Sequence, residues 1–117
     1  MSNKLVVTRH AGLIQYLLEI GLISKDDEIV AHATVENVRG KDIVGVLPLS
    51  LACHANTVTE VPLALPQELR GTELPVEAVR SYAGKPVSYV VQTEEEFVST
   101  LKYVALMTSE LNPSPSV

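Results

Sequence analysis

Short β-branched runs along this chain alternate with stretches whose apolar residues recur at helical spacing. Lys4 to Thr8 reads as a strand buried on both faces, because Leu5-Val6-Val7 offers no polar side. Leu13, Leu17 and Ile20, with Ile14 and Leu18 beside them, share one helical face, and Gly21 is the stop signal. Ile29 to Ala33 and Ile43 to Leu47 read as two further strands around the polar turn Arg39-Gly40-Lys41-Asp42. That connection is short for a crossover, so a helical turn at Glu36 to Arg39 is needed to keep the two strands parallel.

Ser50 to Ala55 reads as a small helix, with Ser50 as its N-cap and Asn56 near its C-cap. Val58 to Leu65 follows as a strand interrupted by Pro62, which suggests a sheet edge or a bulge. Pro66 to Leu74 is a loop, Pro75 to Tyr82 a helix, and Val87 to Gln92 an alternating strand. Thr93-Glu94-Glu95-Glu96 forms a capping box for a last helix that runs to Leu111, with Phe97, Leu101, Val104 and Ala105 on its apolar face. The alternation predicts an α/β fold: one Rossmann-like three-layer sandwich over residues 1–111, with a mainly parallel sheet of about five strands. Residues 112–117, rich in proline and serine, read as a flexible tail.

Composition narrows the function. At 117 residues with 46% hydrophobic content the chain supports a single core. No apolar run reaches the ~18 residues of a membrane span and no signal segment is visible, so a cytoplasmic location with no membrane partner is expected. Cys53 is the only cysteine, which excludes an internal disulfide and fits a reducing compartment. A net charge of −5 argues against long nucleic acid, which is held by many Lys and Arg contacts, and the five aromatic residues are too few for a base-stacking platform. A small anion held by a few local cations remains open.

The densest chemistry is Thr8-Arg9-His10-Ala11-Gly12, between the first strand and the first helix. In a mainly parallel sheet, ligands collect beyond the carboxyl ends of the strands. Arg9 presents a fork of donors suited to phosphate oxygens, or else pairs with a surface carboxylate. His10 offers an imidazole, the side chain best suited to proton transfer near neutrality and so to a general acid toward a leaving alkoxide, or else is an exposed residue ahead of the helix. Gly12 opens a helix whose free amides face an anion, or simply satisfies the backbone. Thr8 donates one bond to phosphate, or caps a strand end. Ser50 aims its hydroxyl at a second phosphate oxygen, or only starts its helix. His32 is a core or rim group with a ligand-contact role, and Arg70, in the loop with Gly71 and Glu73, belongs to a possible lid. His10, His32 and His54 are 22 residues apart, which matches no compact metal signature, so neither a metal nor another cofactor is expected.

Val7-Thr8-Arg9-His10-Ala11-Gly12-Leu13 resembles the V-[ST]-R-H-x-G-A motif of small accessory proteins of type III CRISPR systems. Gly40-Lys41-Asp42, Leu47-Pro48, Leu51-Ala52 and Pro66 to Leu74 are similar in the same order, over about residues 5–92. Ser50 stands where that pattern carries a histidine or asparagine, and Leu13 and Cys53 replace small residues. The resemblance implies a CRISPR-associated Rossmann-like fold, a homodimer, and a metal-independent ring nuclease that degrades cyclic oligoadenylate, in particular cyclic tetra-adenylate. It also implies attack by the ribose 2′-hydroxyl and a 2′,3′-cyclic phosphate product, which ends antiviral signalling. On this basis Arg9 and His10 are the catalytic candidates, and Thr8, Gly12, His32, Ser50 and Arg70 contact substrate. The alternatives are a module that sequesters the messenger uncut, a histidine-phosphatase-like phosphoryl transferase, from which Ala11 departs, and a regulatory subunit with no small ligand.

Overall fold

A computed structural model describes residues 3–111, so the expected tail lies outside the described residues. The elements in order are β1 (Lys4–Val7), α1 (Ala11–Glu19), β2 (Glu28–Val30), α2 (Val35–Val38), β3 (Asp42–Gly45) and α3 (Leu49–Ala52). They continue with β4 (Thr57–Glu60), a 3₁₀ turn (Gln67–Leu69), α4 (Val76–Tyr82), β5 (Val87–Tyr89) and α5 (Glu94–Leu111). The five strands form one sheet in the order β2-β1-β3-β4-β5, parallel except for β5, which runs antiparallel to β4. This is the expected α/β fold with a mainly parallel sheet.

The β2 to β3 connection is solved by four residues of helix. Thr34 Oγ1 accepts from the Asn37 amide at 3.2 Å, and Asn37 Oδ1 accepts from the Thr34 amide at 2.8 Å, a reciprocal cap that holds α2 despite its length. Both faces of the central strands are buried. Leu5, Ile43 and Val58 pack with Val38 of α2 and Ala52 of α3 on one side, while Val6 and Val44 pack with Leu17 of α1 on the other.

Several expectations are corrected. Pro62 lies beyond the end of β4, which is an interior strand, so the proline removes no ladder bond and marks neither an edge nor a bulge. Its carbonyl instead accepts from the Gly84 amide at 2.8 Å. α3 starts at Leu49 with Pro48 as N-cap, so Ser50 caps nothing; Asn56 does not cap α3 either, and its side chain donates to Asp42 Oδ1 at 2.6 Å. α1 begins two residues earlier than its apolar spacing suggests, and Leu18 and Ile20 are exposed because only the Leu17 side of the helix meets the sheet. Thr93 Oγ1 accepts the Glu96 amide at 3.1 Å as a cap for α5, but the apolar face of that helix is not covered: every side chain described from 94 to 108 is exposed.

α1 packs along α4, and Arg80 clamps the pair: its Nε donates to Glu19 Oε2 at 2.9 Å and its Nη2 donates to Oε1. These hydrogen bonds hold the Glu19 carboxyl below its ordinary range. A carboxylate with a lowered folded-state pKa stabilises above its unfolded value, and that contribution is lost as pH falls through the folded value. Both side chains are largely solvated, so the effect is small. Arg80→Ala should lower Tm slightly at neutral pH, and the deficit should close in acid below the carboxylate range. A deficit of equal size in acid would assign the effect to packing of the arginine stem instead.

Candidate functional site

The chain passes from β1 outward to β2 on one side and then returns to β3 on the other, so the strand order reverses between β1 and β3. Loops leaving adjacent strands toward opposite faces of a sheet part at such a point and leave a crevice at the carboxyl ends. A cleft of about 480 Å³ opens there, within the ~300–1,000 Å³ range of small-ligand sites. Val7, Thr8, Arg9 and His10 line one side of it and Ala31 and His32 a second, while Gly45, Val46, Val61 and Leu63 are among the residues that complete the lining.

Gly45 makes this floor possible. It pairs with Val7 across the β1–β3 ladder at φ +143°, and a Cβ there would stand 2.2 Å from the Val7 carbonyl oxygen. Thr8 closes β1, its amide donating to the Val30 carbonyl at 3.0 Å while its hydroxyl oxygen accepts the His10 amide at 3.2 Å. The hydroxyl hydrogen is still available to a ligand in that arrangement. Arg9 is exposed at the mouth, and its guanidinium has no carboxylate partner among the described residues. His10 is the N-cap of α1 but makes no side-chain capping bond, which leaves its ring to the cleft and the helix's positive end close to the cationic rim.

Four of the seven sequence candidates therefore share one cleft: Thr8, Arg9, His10 and His32, the last an exposed rim group after β2 rather than a core one. The other three lie outside its lining. Gly12 is buried, and a Cβ on it would stand 2.3 Å from the Leu74 carbonyl oxygen, so its bareness lets the segment before α4 lie against the start of α1. Ser50 is exposed on α3. Arg70 is exposed too, with its Nε donating to the Leu65 carbonyl at 3.4 Å.

The close approach at Gly12 has a local effect that the spacing of residues did not reveal. Leu74 is anchored in the core, and the preceding residue, Glu73, reaches to 4.0 Å between its Oε2 and His10 Nδ1. Both side chains are largely exposed, and the approach places one carboxylate beside the imidazole at the cleft mouth. Among the described residues no three His, Cys, Asp or Glu side chains gather as a metal site would require. No helix in the described part is long and apolar enough to cross a membrane.

The cleft thus gathers an arginine with no carboxylate partner among the described residues, a hydroxyl and two imidazoles beside apolar walls, a set of donors chemically able to contact an anion. Residues 5–92, three quarters of the chain, match the family described as "Putative CRISPR-associated protein (Cas_VVA1548)". No curated protein and no solved structure matches the chain.

Proposed function

The chain belongs to this CRISPR-associated family, and on that premise we propose that it is a ring nuclease that opens cyclic oligoadenylate, in particular cyclic tetra-adenylate, and so ends type III CRISPR signalling. The observation that carries the proposal is the cleft at the β1–β3 reversal, where Arg9 and His10 stand together with no carboxylate on the guanidinium among the described residues. The apolar walls from Val46, Val61 and Leu63 suit a purine, and the cationic rim suits its phosphate.

The reaction requires no group beyond these side chains and water. The ribose 2′-oxygen attacks the adjacent phosphorus, its proton passes to water, and the bond from phosphorus to the 5′-oxygen breaks. Arg9 stabilises the charge that gathers on the phosphorane oxygens, and His10 delivers a proton to the departing 5′-oxygen. Thr8 and His32 hold the phosphate and ribose in line, and Glu73 lies beside the His10 ring at 4.0 Å. The product is a linear oligoadenylate with a 2′,3′-cyclic phosphate end. A cleft of this volume seats roughly one nucleotide unit of the ring, so a homodimer that presents two clefts matches the two-fold symmetry of the ligand.

Incubation with cyclic tetra-adenylate in EDTA, with products separated by chromatography, tests the proposal. Linear products ending in 2′,3′-cyclic phosphate are expected. A ring that stays intact with stoichiometric protein, while raising its Tm, would make the protein a sequestering module instead.

A further inference from the structure

α5 lies outside the family match, which stops at residue 92, and outside the body of the fold. It is 18 residues long, about 27 Å at 1.5 Å per residue, and every side chain described on it is exposed. The radius of gyration of 18.8 Å compares with ~13 Å for a compact domain of this length, as a projecting helix requires. Phe97, Leu101 and Val104 recur at i, i+4 and i+7 and so form one stripe, each about half exposed, while Glu95 and Lys102 fall on the opposite side, where Leu106 is exposed as well. A lone helix of this length is marginal in water and normally draws its stability from packing of such a stripe.

The same chain also carries an uncovered surface of matching character. On β5, Val87 and Tyr89 are 42% and 47% exposed on the sheet face that α2 and α3 cover farther in. An apolar hollow of about 230 Å³ runs from Tyr89 and Val91 to Leu49, itself 75% exposed. Sheets of this class are normally covered by helices on both faces. Here the helix that follows β5 leads away from the sheet and leaves the hollow without a lid.

We infer that α5 is an exchanged arm: its Phe97, Leu101 and Val104 stripe covers the Val87 and Tyr89 face of a second copy of this chain, which returns its own α5 in the same way. Each copy supplies both surfaces, so the contact closes on itself with two-fold symmetry. A specific interface of standard size buries about 1,200–2,000 Å², and the exchange engages both uncovered surfaces of each copy at once. The inference names the surface of the homodimer in the proposed function but uses none of its cleavage chemistry.

The test is the oligomeric state of the full chain by light scattering over a micromolar concentration series, without nucleotide. The parent chain should be a dimer, Leu101→Asp should weaken association by about 100-fold, and Lys102→Glu on the opposite side should leave it intact. A second measurement does not depend on a disruptive variant. Chains carrying Cys53→Ser with Tyr89→Cys should form a disulfide-linked pair when mixed with chains carrying Cys53→Ser and Leu101→Cys. A monomeric parent, association unchanged by Leu101→Asp, or a 89–101 disulfide that forms only within a chain bearing both cysteines would overturn the inference. A chain that dimerises in this way yet leaves cyclic tetra-adenylate intact supports the arm and counts against the nuclease proposal.

Discussion

Alanine at His10 is expected to slow single-turnover cleavage of cyclic tetra-adenylate by about 10²–10⁴-fold, the usual loss for a missing general acid, with affinity changed far less. A 5′-alkoxide is a poor leaving group without a proton, and in the proposed reaction His10, whose Nδ1 lies 4.0 Å from Glu73 Oε2, is the proton donor. In the proposed reaction ground-state binding draws instead on Arg9, whose guanidinium has no carboxylate partner among the described residues. Arg9→Ala should therefore lower both rate and affinity if, as proposed, the guanidinium holds the phosphate before the reaction and stabilises the phosphorane during it. Equal losses of binding in the two variants, with equal rates once saturated, would remove the acid role from His10.

The second large effect concerns stability. Gly45→Ala places a methyl group 2.2 Å from the Val7 carbonyl oxygen at a backbone φ of +143°, a region costly for any residue with a Cβ. Neither partner can give way cheaply, because Val7 and Gly45 are paired in adjacent central strands whose side chains form the core. A loss of about 2–4 kcal/mol in urea unfolding is expected, a large part of the ~5–15 kcal/mol typical of a domain. A variant as stable as the parent would mean that β1 and β3 can separate at this level, and the floor of the cleft would then be softer than the ladder implies.

The sequence made the sheet and the start of the site legible because both are local. Leu5-Val6-Val7 and Ile43-Val44 have no polar side, and a strand without one belongs in the middle of a parallel sheet; both are buried there. Thr8, Arg9 and His10 follow such a strand directly, and the end of a strand is where an α/β sheet exposes its ligands. What was not legible depends on distant segments meeting. Glu73 is 63 residues from His10, and only the bareness of Gly12 against the Leu74 carbonyl brings it near. Ser50 follows, and Arg70 lies within, a motif that resembles the family's, yet both lie outside the cleft lining: Ser50 is exposed on α3 and Arg70 Nε donates to the Leu65 carbonyl. Pro62 misled for a related reason. A proline forbids a ladder position only if the strand reaches it, and β4 ends two residues before. The periodicity of α5 correctly gave a helix and its apolar stripe, but periodicity carries no information about which surface, or whose, covers that stripe.

The direction of β5 has a practical consequence. Because β5 runs against β4, the chain leaves the sheet at the amino ends of the parallel strands, on the far side from Arg9 and His10. A fluorophore or surface tether attached where the chain leaves β5, at Gln92 or Thr93, would thus be anchored beneath the domain and leave the mouth facing solution. Immobilised protein could then be presented to nucleotide in one orientation, with every cleft accessible.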